Sequence, residues 1–288
     1  MKLSIIITLY NRADKVVKAL ESILSQTYSQ YEIVIVDDGS SDSPEIILAP
    51  YLKQNNIKYI KQENMGAAGA KNRGAKEATG EFIFFLDSDD WLEDEFVLEK
   101  IATELADNID FLTFNQIRVI TDQGQKINTY QPESDLHTEI LRYPLNYAAC
   151  PPYIFRRHLF IEVGGFDLQF KWGDALLFWR RFLPRAKVKI CDDIGYVYDQ
   201  RGEDSVSRKK DARYLENVFI TLNASYLALR KNLIEKGFNK EWELVLLGVA
   251  LKKKDWKAFF TYLFRLFSNN FTKIPTALYY LISKRMKK

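Results

Sequence analysis

Three carboxylates directly follow an apolar run in the first third of the chain. Residues 82–86 are all apolar, and Asp87, Asp89 and Asp90 come next. Because a charged group is costly to bury, these aspartates should lie at the end of a buried strand, where open α/β sheets bind ligands. Mg²⁺ is usually held by one or two carboxylates together with substrate phosphates. The Asp-Ser-Asp spacing therefore predicts a site for a metal ion and a diphosphate, although the same residues are also typical of turns and helix caps.

The elements that must position these carboxylates alternate between strands and helices. Apolar runs predict strands over 3–9, 32–36, 57–61 and 82–86, and helical spacing predicts helices over 14–26 and 66–79. Strands that alternate with helices form right-handed parallel βαβ units. The second strand also ends in carboxylates, Asp37 and Asp38. Carboxylates gathered at one edge of a sheet repel one another unless a cation lies between them.

The pattern changes after residue 109. Strands are predicted over 110–120 and 188–197, and helices over 173–182 and 213–236, with two or three more helices after Trp242. The segment 121–138 reads as polar and turn-rich, and 200–210 as a polar loop long enough to act as a lid.

Composition restricts the class of protein. The 288 residues are 47% hydrophobic and 14% aromatic, which indicates a globular protein with a large core. Cys150 and Cys191 are the two cysteines, so the sequence suggests neither a disulfide framework nor a zinc site. The apolar N-terminus reads as a strand rather than a signal peptide, and no apolar run is long enough to span a bilayer. A cytoplasmic location is expected.

Four motifs in the first ninety residues resemble those of the family 2 glycosyltransferases, which have the GT-A fold. They are SIIITLYN (4–11), IVDDGSSD (35–42), NMGAAGAKNRG (64–74) and GEFIFFLDSDD (80–90). A weaker match runs through VGGFD (163–167) and WGD (172–174) to about residue 207. The resemblance implies an α/β catalytic domain over 1–210, with a nucleotide-sugar-binding half (1–105) and an acceptor half (106–210). A helical extension over 211–288 follows.

The resemblance also assigns roles in binding the nucleotide-sugar. These roles fall on Thr8, Tyr10, Asn11, Asp38, Lys71, Asn72, Asp87, Ser88 and Arg201. Asp89, helped by Asp87, would hold Mn²⁺ or Mg²⁺ at the diphosphate. Lys71 stands where the family has arginine, which keeps the charge but loses the bidentate fork. Asp37 is interpreted as structural, binding turn amides, and Asp90 as the cap of a helix that begins near Trp91.

The acceptor half carries the expected general base. Asp174 matches the family's catalytic aspartate and would deprotonate the acceptor hydroxyl; the alternative is a simple helix N-cap. Gly173 replaces the glutamate that usually precedes this base. Trp172 and Gly173 are expected to contact the acceptor, and Phe166 is either part of a sugar platform or of the core.

The C-terminal extension is basic. Residues 251–288 contain ten Lys or Arg and one Asp, a charge of +9, so the rest of this +3 chain carries −6. Helical spacing places six residues on one stripe: Trp256, Phe259, Phe260, Leu263, Phe264 and Phe267. This helix either packs on the catalytic domain or lies on anionic lipid at the inner face of the cell membrane. Nucleic acid is not an expected partner, and the sequence leaves the oligomeric state open.

These observations predict a metal-dependent, inverting glycosyltransferase of the hexosyltransferase type. It would move a sugar from a nucleotide-diphosphate sugar, UDP-linked by preference, to a glycan or lipid-linked acceptor in surface polysaccharide synthesis. One alternative is a catalytically idle nucleotide-sugar-binding scaffold. A sugar-1-phosphate nucleotidylyltransferase is less favoured, since that chemistry prefers a Gly-rich basic loop where this chain has Tyr10, Asn11 and Arg12.

Overall fold

The computed structural model describes residues 1–105, 108–132, 134–142, 150–169, 174–201 and 214–268. The strands within this part of the chain are β1 (Leu3–Leu9), β2 (Tyr31–Asp37), β3 (Ile57–Lys61), β4 (Phe82–Asp87), β5 (Trp91–Leu92), β6 (Phe111–Thr121), β7 (Gly124–Thr129), β8 (Cys150–Arg156) and β9 (Val188–Asp199). The helices are α1 (Ala13–Leu24), α2 (Pro44–Leu48), α3 (Gly66–Glu77), α4 (Val97–Glu104), α5 (Leu136–Arg142), α6 (Arg157–Glu162), α7 (Asp174–Phe182), α8 (Tyr214–Glu235), α9 (Asn239–Lys253) and α10 (Trp256–Ser268).

All these strands join one sheet in the order β3-β2-β1-β4-β8-β6-β9-β5, with β7 paired to β6. The pairs among β1, β2, β3 and β4 are parallel, as the alternating sequence pattern predicts. In the second half β8 runs antiparallel between β4 and β6, while β6 and β9 are parallel. The helices and strands that were predicted with stated bounds are confirmed to within two residues, whereas α9, predicted after Trp242, already begins at Asn239.

The sheet is covered by helices on both faces. Side chains alternate along β1, so Ile5 and Ile7 join a core with α1 and α4, whereas Ile6 joins a core with α3 and α5–α9. Burial on both faces explains why β1, β2 and β4 are almost continuously apolar.

Helix α3 packs unusually close to β1. A Cβ atom added at Gly74 would lie 2.2 Å from Ile6 Cγ2, so only glycine allows this approach. The small residues of α3 therefore bring its N-terminal end near the tips of β1 and β2.

The C-terminal helices share a core with α7. Tyr226 of α8 and Trp242 of α9 are fully buried in the same cluster as α7. The Trp242 indole Nε1 donates a hydrogen bond to the Leu141 carbonyl at 2.6 Å, and the Arg180 guanidinium lies 4.3 Å from the centre of the Trp242 ring. None of the described helices is long and apolar enough to cross a membrane.

Two predictions about surface segments need correction. The segment 121–138, predicted as polar turns, contains β7 and the start of α5. All six residues of β7 are exposed at the margin of the sheet, so no apolar alternation marked it as a strand. The six residues predicted on one stripe of α10 divide: Phe259 and Leu263 pack against the core, whereas Trp256, Phe260 and Phe264 are exposed. The side chain of Phe267 lies outside the described set.

Candidate active site

The predicted carboxylates meet at one edge of the sheet. Thr8 of β1 lies beside Asp87 of β4 in the strand register, and Leu9 lies beside Asp37 of β2. The chain moves outward from β1 through β2 to β3 and then returns to β4 on the other side of β1. The crevice between β1 and β4 is thus the topological switch point, where open α/β sheets bind their ligands.

Charged side chains of both signs surround this crevice. Lys71 of α3 places its Nζ 2.9 Å from Asp87 Oδ1, and Arg12 places its Nε 3.9 Å from Asp89 Oδ2. The Asp87 side chain is 50% exposed and that of Asp89 27%. Lys71 thus lies beside Asp87 and Arg12 beside Asp89, and the role of Lys71, Asp87 and Asp89 in one binding site stays a prediction. Arg12 was not predicted as a site residue, although its position three residues after the end of β1 could have indicated that it lies near the crevice.

The environment of Asp89 disfavours the negative charge of its carboxylate. Burial raises the pKa of Asp89 above its ordinary value, and the negative charge of Asp87 raises it further; Arg12 and Lys15 oppose these effects. Two neighbouring carboxylates suit Mg²⁺ or Mn²⁺ when substrate phosphates complete the ligand set. Within the described ranges, no group of three or more His, Cys, Asp or Glu side chains is arranged to hold a metal ion. The two aspartates fit a cation that arrives with a diphosphate.

Asp90 does not cap a helix, and that prediction is wrong. The residues after it, Trp91–Leu92, form strand β5, and the next helix begins at Val97. Asp90 is 2% exposed and accepts hydrogen bonds from the Tyr196 hydroxyl at 2.7 Å and the Asp199 amide at 2.9 Å. Burial, followed by the charge of Asp87, raises the pKa of Asp90 to about 8.

Asp90 thereby joins the Asp87–Asp90 loop to the end of β9. The Asp87 amide also lies 3.4 Å from the Tyr196 hydroxyl, and the Asp199 carboxylate accepts two short bonds from Arg201, Nε at 2.9 Å and Nη2 at 2.6 Å. Sequence reasoning missed Tyr196 and Asp199, because only the pairing of β5 with β9 brings them here. Arg201, predicted to contact phosphate, is exposed at the end of this chain of bonds.

The two aspartates at the end of β2, Asp37 and Asp38, accept hydrogen bonds from different partners. Asp37 is fully buried; its Oδ1 accepts the Ser40 amide at 2.8 Å and its Oδ2 accepts the Tyr59 hydroxyl at 2.7 Å, which confirms the structural interpretation. Asp38 Oδ1 accepts the Met65 amide and Asp38 Oδ2 the Gly66 amide, both at 2.8 Å. Asp38 therefore fixes the start of α3 beside the crevice, while its contact with a base stays a prediction.

Several other predicted binding residues have structural partners. Asn72 donates from Nδ2 to the Phe166 carbonyl at 2.7 Å and accepts the Phe166 amide on Oδ1 at 2.9 Å. Asn11 Oδ1 accepts the Ser41 amide at 2.9 Å, which ties the tip of β1 to the turn after β2. Thr8 and Ser88 are buried, whereas Tyr10 is 51% exposed at the tip of β1.

The acceptor side is described only in part. Asp174 is the first residue of α7, as predicted, but its side chain, Trp172 and Gly173 lie outside the described set. Phe166 packs with its ring centre 4.7 Å from that of Phe178 and 5.5 Å from that of Phe160. Phe166 therefore belongs to the core at the margin of the site, where Asn72 holds its backbone.

Comparisons with known proteins agree with this geometry. The profile of "Glycosyl transferase family 2" matches residues 4–171, more than half of the chain. Glycosyltransferase GlyG of Streptococcus pneumoniae is 29% identical over 231 residues, which cover 75% of this chain and 76% of that protein. The putative glycosyltransferase EpsH of Bacillus subtilis is 36% identical over 140 residues, covering 46% and 40%. The chain spans less than half the length of EpsH and 20% of an uncharacterized Rickettsia felis glycosyltransferase.

Solved structures show the same fold. Staphylococcus aureus TarS 1-349 in complex with UDP-GlcNAc superposes with a TM-score of 0.65 at 19% identity, covering 94% of this chain and 93% of that one. The mannosyltransferase PcManGT from Pyrobaculum calidifontis, in complex with GDP-Man and Mn²⁺, gives a TM-score of 0.58 at 16% identity, covering 99% and 79%. These likenesses confirm the predicted GT-A fold. The profile match over residues 4–171 establishes that the chain belongs to glycosyl transferase family 2.

Proposed function

We propose that this chain transfers a sugar from a nucleotide-diphosphate sugar, preferably UDP-linked, to a hydroxyl group of a glycan or lipid-linked acceptor. The observation that carries the proposal is the meeting of Asp87, Asp89, Arg12 and Lys71 at the crevice between β1 and β4. Two carboxylates and two cations around one crevice suit a metal-bound diphosphate, since each phosphate oxygen can face a positive partner. The family relationship favours sugar transfer over nucleotidylyl transfer at this site.

The donor would be oriented by the edge of the parallel sheet. The exposed Tyr10 ring at the tip of β1 offers a surface for the base, and Asp38 holds the start of α3 beside it. Arg12 and Lys71 would contact diphosphate oxygens. A divalent cation held by Asp89 and Asp87 would neutralise the charge that develops on the departing diphosphate.

The acceptor would be activated from α7. Asp174 takes the proton of the acceptor hydroxyl while that oxygen attacks the anomeric carbon and the bond from that carbon to the diphosphate oxygen breaks. Attack opposite the leaving group inverts the anomeric configuration. Proton NMR of the first product distinguishes inversion from retention, and retention would contradict this step.

We place the reaction in surface polysaccharide synthesis at the inner face of the cell membrane. The charge of +9 on residues 251–288 supports this location, because the cytoplasmic leaflet carries anionic lipid.

Donor turnover tests the proposal. A panel of UDP- and GDP-sugars is incubated with the protein and Mn²⁺, and release of nucleoside diphosphate is measured before and after chelation. We expect turnover of at least one donor, lost with the chelator and restored by Mn²⁺. Asp89→Asn should reduce it at least about 100-fold, whereas Glu162→Gln, the same change at an exposed position on α6, should leave it unchanged.

Two results would contradict the proposal. Turnover that is indifferent to chelation and to Asp89→Asn would remove the metal-diphosphate site. Tight UDP binding without turnover of any donor, with or without acceptor sugars, would instead support the idle scaffold.

A further inference from the structure

Helix α10 exposes a row of large apolar side chains. Trp256, Phe260 and Phe264 are 55%, 61% and 72% exposed, and they follow one another at intervals of four residues. Residues spaced by four lie on the same side of a helix, so the three side chains form one continuous strip, here called the α10 stripe. Neighbouring aromatic side chains left in water mark a surface that contacts something apolar.

The side chains that pack α10 on the protein are different from those of the α10 stripe. Phe259, Leu263 and Leu266 pack against the core, and Tyr262 is buried within it. Helix α10 therefore has two apolar sides, one packed on the protein and one facing outward.

Exposed lysines lie immediately before and at the start of α10. Lys252 and Lys254 precede the helix, and Lys257 lies on its exposed side next to Trp256. Lys253 is partly covered, with its Nζ 4.7 Å from the centre of the Phe219 ring. The exposed lysines thus lie close in sequence to the first residue of the aromatic strip, within a segment of +9, while the rest of the chain carries −6. A partner for this surface must be apolar beneath and negatively charged around the edge.

We propose that the α10 stripe and its flanking lysines bind the surface of an anionic lipid bilayer. Aromatic residues enter the boundary between headgroups and acyl chains, while lysines pair with lipid phosphates. This inference deepens the proposed function by naming the surface that brings the enzyme to its acceptor, and it rests on that proposal. A second copy of the chain fits less well, because three side chains cover far less than the roughly 800 Å² per partner that stable interfaces bury.

Vesicle flotation of the full chain tests the inference. Vesicles of phosphatidylcholine alone are compared with vesicles that also contain phosphatidylglycerol, at low and high salt. We expect flotation with the anionic vesicles and release by salt, since charge attraction is screened. The triple variant Trp256→Ser, Phe260→Ser, Phe264→Ser should bind at least about 10-fold more weakly.

Two further variants separate apolar insertion from charge and from general stickiness. Lys252→Glu with Lys254→Glu and Lys257→Glu should also lose binding to anionic vesicles. The matched control Ile46→Ser with Ile127→Ser changes exposed apolar residues on other parts of the surface, 73% and 48% exposed, and should bind like the parent.

Three outcomes would overturn the inference. One is equal flotation of the parent and the stripe variant. Another is equal binding to neutral and anionic vesicles. The third is a dimer, seen by light scattering, that dissociates in the stripe variant while neither protein floats. Donor turnover without vesicles, measured on the same samples, should be unchanged in every variant, so failure of the lipid site is distinguishable from failure of the proposed catalysis.

Discussion

The crevice between β1 and β4 and the helices α8–α10 are built in opposite ways. At the crevice, charged and polar side chains from distant segments hold one another, as in the bonds from Tyr196 and Asp199 to Asp90. In the C-terminal helices, Tyr226 and Trp242 are fully buried in an apolar cluster, and α10 presents a second apolar side to the exterior. Under the proposed function, catalysis depends on the first region, while the second adds stability and the proposed lipid-binding surface.

Trp242→Ala should give the largest loss of stability. The residue is fully buried, donates to the Leu141 carbonyl and stacks on Arg180, so a cavity and an unpaired carbonyl would remain. We expect about 3 to 5 kcal/mol less free energy of unfolding. Urea unfolding measures this. A single shifted transition would show that the extension and catalytic part fold together, and an unchanged main transition would refute a shared core.

Glu32→Gln should disrupt the hydrogen bonds that the Glu32 carboxylate accepts from Lys2, Ser4 and Thr79. Burial alone would raise the pKa of Glu32, but hydrogen bonds from Lys2, Ser4 and Thr79 outweigh it and lower the pKa from 4.5 to about 2. A lowered folded-state pKa stabilises the fold above pH 4.5, and this contribution is lost as pH falls through about 2. The free energy of unfolding of the variant at pH 7 should be about 2 to 3 kcal/mol lower than that of the parent.

The prediction for Glu32 is checked by the pH dependence of the difference in unfolding free energy between the parent and Glu32→Gln. Urea unfolding of the parent and Glu32→Gln should give stabilities that converge as the solution is acidified from pH 7. A difference that stays constant with pH would mean that the carboxylate charge contributes nothing.

Tyr196→Phe should separate catalysis from stability. Loss of the hydroxyl leaves the buried Asp90 with fewer donors, which should cost about 1 to 2 kcal/mol. Because the Asp87–Asp90 loop would lose the Tyr196 hydroxyl and keep only the Asp199 amide as a hydrogen-bond partner of Asp90 on β9, donor turnover should fall about 10-fold. Tyr226→Phe is the matched control, since its hydroxyl also bonds a buried carboxylate, Glu243, but in the C-terminal helices. Equal loss of turnover in both variants would mean a merely structural effect.

Phe264→Ala should have the smallest effect on stability. The side chain is 72% exposed, so its removal should change the free energy of unfolding by no more than about 0.5 kcal/mol. Thermal unfolding beside Trp242→Ala measures the contrast between the two sides of the extension. A loss comparable to that of Trp242→Ala would show that the α10 stripe is part of the core.

The sequence was sufficient wherever a local pattern has one structural solution. Continuous apolar runs placed β1, β2 and β4 on a sheet covered on both faces, and their shared direction brought Asp87 and Asp37 to one edge. The sequence was insufficient where a residue contacts another that is distant in the chain. Nothing beside Asp90 in the sequence indicates Tyr196, and the exposed strand β7 has no apolar side to detect. The contact between Tyr196 and Asp90 depends on the pairing of β5 with β9, and strand β7 depends on its pairing with β6.

Titration calorimetry of UDP into the protein, with and without Mn²⁺, tests the central claim most directly. If Asp87 and Asp89 hold a cation against the diphosphate, Mn²⁺ should strengthen UDP binding at least about 10-fold in the parent and have no effect in Asp89→Asn. Uridine, which lacks the phosphates, should bind weakly and without response to the metal. Equal UDP affinities with and without Mn²⁺ in the parent, or full retention of the metal effect in Asp89→Asn, would contradict the account.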